Sequence, residues 1–164
     1  MKSYPAALWR RTSLAALSAV GAVLPLIDGA PTPRRSAASF AKNLRLERMF
    51  VEAGGLLLAG TDPTGAGGAL PGFASIRQIQ LLVEAGFSFE QAVRIGTLNG
   101  AIFLGRDRDV GSIAAGKRAD LILVDGDPVR DPSALGRIQT VFKAGIGYDR
   151  QALLASVRGL IGYR

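Results

Sequence analysis

A chain of 164 residues is long enough for one domain with a packed core and too short for a closed (β/α)8 barrel, which typically takes about 250. Hydrophobic residues at 48% and charged residues at 20% describe a globular chain, and the absence of cysteine and histidine excludes disulfides, thiolate chemistry, zinc fingers and imidazole-based acid/base catalysis within it. The net charge of +7 is concentrated in residues 1–50, where eight Lys or Arg face Asp28 and Glu47, while the remainder sets twelve bases against eleven acids. No aromatic residues interleave with that basic segment at base-stacking spacing, so no nucleic-acid partner is expected.

Lys2, Arg10 and Arg11 precede an apolar run from Leu14 to Ile27 that is broken by Gly21 and Pro25. Positive residues, a short apolar stretch and small residues at Gly29-Ala30 have the layout of an export signal. The long positive region and the misplaced Asp28 fit a buried or amphipathic helix, and with it a cytoplasmic protein. The run falls short of the roughly 18 continuous apolar residues of a membrane span, so no membrane role is expected. Pro31, Pro33 and Arg34-Arg35-Ser36 then form a connector that closes a first segment, residues 1–35. Ser36 can cap a helix from about Ala37 to Ala53, closed by Gly54-Gly55, with Phe40, Leu44 and Val51 near one face.

The next stretch organises the chain. Leu56 to Gly60 is a short apolar run suited to a strand buried on both faces, and Pro63 with the glycines up to Gly68 forces a loop after it. Thr61 and Asp62 fall where such a strand ends, the edge that carries the chemistry in a (β/α)8 barrel. Asp62 is therefore a candidate metal ligand or proton acceptor; the alternative is an aspartate that caps its own turn. Pro71-Gly72 leads to a helix from about Ser75 to Ala85, ended by Gly86, whose Ile76, Ile79, Leu82 and Val83 form a core-facing stripe. Ser88 and Gln91 make a capping box for a third helix through about Ile95. A fourth runs from about Leu98 to Leu104 and ends at Gly105, with Thr97 and Asn99 read as cap and turn residues without a catalytic role. From Asp109 the texture changes to strand and turn. Strands at Leu121–Val124 and Ile138–Lys143 flank a turn at Asp125–Pro128, and a final helix runs from Arg150 to about Leu160. The expected organisation is residues 1–35, an α/β part at 36–108, a small β unit at 109–148 and a tail at 149–164.

Taken in order, these pieces resemble the metal-dependent amidohydrolase superfamily. The matching residues are Leu-Leu-Ala-Gly-Thr-Asp-Pro at 57–63, Pro-Gly-Phe at 71–73, Leu-Leu-Val-Glu-Ala-Gly-Phe at 81–87 and Gln-Ala-Val-Arg-Ile-Gly-Thr-Leu-Asn-Gly-Ala at 91–101. Phe-Leu-Gly at 103–105 and Gly-Ser-Ile-Ala-Ala-Gly-Lys-Arg-Ala-Asp-Leu-Ile-Leu-Val-Asp-Gly-Asp-Pro at 111–128 complete the pattern. The chain looks most like imidazolonepropionase-like and prolidase-like members, from about residue 40 to the C-terminus.

The resemblance implies the C-terminal part of a distorted (β/α)8 metal-hydrolase barrel, followed by part of a small β-sandwich built from both chain ends. It implies one or two divalent metals, usually zinc, and places Leu56–Gly60 on the last barrel strand. It makes Asp62 the strand-end aspartate that touches the metal and takes the proton of the metal-bound water, in hydrolysis of a small amide-type substrate. The family's other ligands are a His-X-His pair on the first strand, a Lys or carboxylate further on, and histidines on the middle strands. None is present here, so Asp62 is the one metal and catalytic residue carried over, and zinc is not expected to be held stably by this chain. Gln78 stands where many relatives have a Glu after an Arg, and Arg77 is read as either a loop-positioning residue or half of a surface salt bridge. Two functional expectations follow: the C-terminal fragment of an amidohydrolase acting on carbon–nitrogen bonds, inactive or impaired by itself, or a non-catalytic remnant or binding module of the same fold. Unpaired barrel edges would favour self-association.

Overall fold

The computed structural model describes residues 37–61 and 73–159, with side chains described from Phe40 onward; residues 1–36, among them Ser36, residues 62–72, among them Asp62, and residues 160–164 lie outside the described residues. The chain is mixed α/β and divides between Gly100 and Ala101 into two units. In order, the elements are α1 (Ala37–Glu52), α2 (Phe73–Glu84), α3 (Phe89–Gly96), α4 (Leu98–Phe103), β1 (Leu121–Val124), a 3-10 helix (Pro132–Gly136), β2 (Ile138–Lys143), β3 (Ile146–Asp149) and α5 (Arg150–Ser156). Among the described residues no helix is long and apolar enough to cross a membrane.

The first unit is built on helices that stop abruptly. α1 ends as Gly54 N–H donates to Val51 O and Gly55 N–H to Phe50 O, and α2 ends in the same way, with Gly86 to Val83 O and Phe87 to Leu82 O. This paired-bond ending needs a residue at positive φ, which Gly54 (82°) and Gly86 (93°) supply without a Cβ penalty. The turn after α2 delivers Phe87 directly into the core. There it joins Leu57, Leu82, Ala92 and Ile95, with Phe50, Val51, Ile79 and Val83 packed around them. The Ser88–Gln91 capping box forms as expected: Gln91 N–H donates to Ser88 Oγ and Ser88 N–H to Gln91 Oε1. Glu90 in the first turn of α3 and Arg94 in its last both complement the helix dipole.

Two expectations for this unit change. Phe40 is exposed rather than part of the inward face of α1, where Phe50 and Val51 do the packing. Leu56–Gly60 forms no strand among the described residues, because a strand is defined by its ladder and the one sheet described is β1-β2-β3. The segment is nonetheless central, with Leu57 only 4% exposed.

The second unit holds that antiparallel sheet, in the order β1-β2-β3, with Leu121 opposite Phe142 and Ile122 opposite Val141. Residues 107–120 form turns, bends and irregular backbone rather than strands. β3 and the 3-10 helix, which buries Ala134, were not expected from the sequence. α5 ends at Ser156, short of the expected Leu160, which lies outside the described residues. β2 and β3 join through Ala144-Gly145, both at positive φ (50° and 81°), the backbone of a two-residue hairpin turn. An alanine in that conformation costs about 1–2 kcal/mol. Asp120 offsets the cost by holding the turn: its carboxylate accepts from Ala144 N–H (2.8 Å), from Lys143 Nζ (3.1 Å) and from the Arg118 guanidinium. Those donors, the Ala144 amide first and Arg118 next, hold the Asp120 carboxyl well below the usual carboxylate range.

Gly86→Ala should destabilise the chain by about 1–2 kcal/mol, because the alanine inherits the left-handed backbone, and urea unfolding should read this as a lower midpoint. Since its folded-state pKa is depressed, Asp120 contributes stability that is fully present above its unfolded pKa of about 3.9 and lost as pH falls below it. Asp120→Asn should therefore be less stable than the parent at pH 7, with the gap narrowing steadily below about pH 4 in thermal melts.

Candidate active site

The residues around the expected strand end are arranged by side-chain amides. Leu57 sits in the core with its carbonyl turned to α4, where Asn99 Nδ2 donates to it at 2.8 Å in a buried bond. Three residues on, Gln78 Nε2 of α2 donates to the Gly60 carbonyl at 3.2 Å. Asn99 is 8% exposed and satisfied by this bond, so its role is neither a cap nor a turn but a reach of 42 positions back along the sequence. Thr97 does behave as a cap, its hydroxyl donating to Val93 O at 2.7 Å. Gln78 makes a defined polar contact at the position where the resemblance implies a Glu in many relatives. The sequence signal for both amides was slight: an Asn inside Leu-Asn-Gly and a Gln on a helix, either of which is ordinarily a surface residue.

Arg77 pairs with Glu84 at 2.5 Å through Nη1, with a second bond at 3.1 Å through Nη2, on an exposed helix face. Of the two readings of Arg77, the surface salt bridge is the one that forms. Arg48 ties α1 to the end of α2 by donating to Gly86 O at 3.4 Å while pairing with Glu52 at 2.9 Å.

Asp62, the expected catalytic and metal-binding residue, lies two positions beyond Gly60 and outside the described residues. The family resemblance implies a divalent metal, which needs several donor side chains converging on one point. Among the described residues there is no group of three or more His, Cys, Asp or Glu placed to hold a metal ion, and the chain contains no His or Cys at all. A catalytic zinc site takes about three protein ligands and an open position, and the described residues do not supply that donor set.

Comparison with known proteins supplies the family. The sequence profile described as "Amidohydrolase family" matches residues 27–146, and the chain belongs to that family. An imidazolonepropionase from Shouchella clausii is 33% identical over 101 residues, covering 60% of this chain and 22% of the relative. A 5-methylthioadenosine/S-adenosylhomocysteine deaminase from Moorella thermoacetica is 39% identical over 83 residues, covering 46% of this chain and 19% of the relative. Among solved structures, a putative prolidase from Bifidobacterium longum superposes with a TM-score of 0.57 at 33% identity, over 70% of this chain and 30% of that one. The chain thus spans about a fifth of the length of these curated relatives. Amidohydrolases are generally metal-dependent.

Proposed function

We propose that this chain carries the C-terminal share of a metal-dependent amidohydrolase that hydrolyses carbon–nitrogen bonds in a small amide-type substrate, and that it has little or no turnover alone. The observation that carries this reading is the family match across residues 27–146, in which the segment leading to Asp62 is packed between helices and held by two side-chain amides. In this reading residues 56–60 are the last strand of a barrel whose other strands come from elsewhere. The three-stranded sheet is then part of a composite β-sandwich. Asp62 accepts the proton of the attacking water and returns it to the departing nitrogen, work that suits a carboxylate just beyond a supported backbone segment. Zinc is the metal expected of such an enzyme, and a single carboxylate would not retain it.

The missing donor set favours a second reading, in which the same fold persists without a metal centre as a non-catalytic remnant or binding module. Complementation separates the two. The purified chain should bind no stoichiometric zinc in calorimetry and turn over no acyl amide. Adding the His-X-His-bearing portion of an imidazolonepropionase should restore hydrolysis, and Asp62→Asn should cut it about 10²–10⁴-fold. Failure of every complement to restore turnover would favour the remnant, whereas stoichiometric zinc and turnover in the isolated chain would overturn the proposal.

Self-association is the partner state proposed for the isolated chain. The sheet leaves Ile122, Leu123, Ile146 and Tyr148 exposed, and its two outer strands have unpaired edges among the described residues. Sedimentation at micromolar concentration should show dimers or larger species, and a compact monomer would count against it.

A further inference from the structure

The 56–61 segment forms no sheet ladder among the described residues, yet two of its carbonyls have donors, and both donors are primary amides from helices. Asn99 and Gln78 lie 21 positions apart, on α4 and α2, and grip the segment at its buried start and its exposed end. A bond at one carbonyl would leave the segment free to pivot; bonds at Leu57 and Gly60 fix both its position and its direction. Both donors are neutral, so the grip adds no charge beside whatever follows Gly60. An ionised carboxylate of the same shape at either position has no proton to give and would repel the carbonyl.

We infer that Gln78 and Asn99 are positioning residues, a two-point amide clamp that fixes the 57–60 backbone from two helices and sets where the chain leaves Gly60. Its bearing on catalysis rests on the reading of Asp62 given above; the clamp itself does not. Asn99 provides the buried anchor and Gln78 the alignment of the exit. Neither touches a reacting atom, and each acts through the backbone that carries Asp62.

Hydrogen–deuterium exchange of the full chain, with each variant compared to the parent at the same pH, tests the clamp without any assay of turnover. Asn99→Ala and Gln78→Ala should each speed exchange of the peptide covering residues 56–61 by up to about tenfold, because a segment with one restraining carbonyl bond fewer opens more often, while α3 keeps its protection. Gln78→Glu should exchange like Gln78→Ala at pH 7 and approach the parent near pH 4, about where a glutamate regains a proton to donate. A general loss of packing would give no such recovery. Unchanged exchange at 56–61, or equal acceleration in α3, would overturn the clamp. A second measurement needs no variant: in the parent chain, NMR should detect the coupling across the hydrogen bond between the Asn99 side-chain nitrogen and the Leu57 carbonyl carbon, and its absence would equally overturn the inference. Zinc binding and turnover of Asp62→Asn in the complemented enzyme test the reading of Asp62 alone, so the two can fail separately.

Discussion

The hydrogen bond from Asn99 Nδ2 to the Leu57 carbonyl, at 2.8 Å, is what lets the backbone at Leu57 enter the core of the first unit. Burying a leucine side chain stabilises by about 1.5–3 kcal/mol. Burying a backbone carbonyl without a donor costs about 1–3 kcal/mol, nearly cancelling that gain. A sheet neighbour would ordinarily meet the need. Here a side chain from α4 does so, and Leu57 can sit among Leu82, Phe87, Ala92 and Ile95 with its polar backbone satisfied.

The same economy of donors recurs in the second unit with a different chemistry. At the β2–β3 turn the acceptor is a carboxylate rather than a carbonyl, and the donors converging on Asp120 come from Ala144, Lys143 and Arg118. A charged acceptor suits this place because its side chain is one-quarter exposed and ringed by cations. At Leu57, deep in the apolar core, a neutral amide meets the need without the desolvation cost of an ion. Each unit thus anchors its least regular backbone with the polar group its surroundings tolerate.

Much of the helical layout was legible because local chemistry determines it. Gly54, Gly86 and Gly105 mark helix ends, Ser88 and Gln91 mark a start, and the stripe of Ile79, Leu82 and Val83 marks the buried face, since each signal acts within a few residues of where it is written. Long-range features were less visible. Phe40 was misplaced because periodicity gives a face but not what covers it. β3 was missed because its residues, Ile-Gly-Tyr-Asp, become a strand only by pairing with β2. Asn99 was misread for the same reason, as its partner lies far away in sequence and nothing beside it announces the contact. The family was readable from the order of short motifs, whereas the surroundings of Asp62 depend on groups that the sequence of this chain does not contain.

Asn99 is followed by Gly100, a neighbour with no side chain to hinder the ring closure by which asparagine slowly loses its amide nitrogen. In the folded chain Gly100 lies inside α4 and the Asn99 amide is engaged at Leu57, two restraints on the rotation that would bring the backbone nitrogen onto the side-chain carbonyl carbon. Unfolded molecules have neither restraint. Chemical ageing at this position would therefore proceed in the unfolded population, and each converted molecule would return with an acceptor where the core requires a donor. The bond that supports the first unit also shelters its own weakest link, and time spent unfolded is irreversibly recorded there.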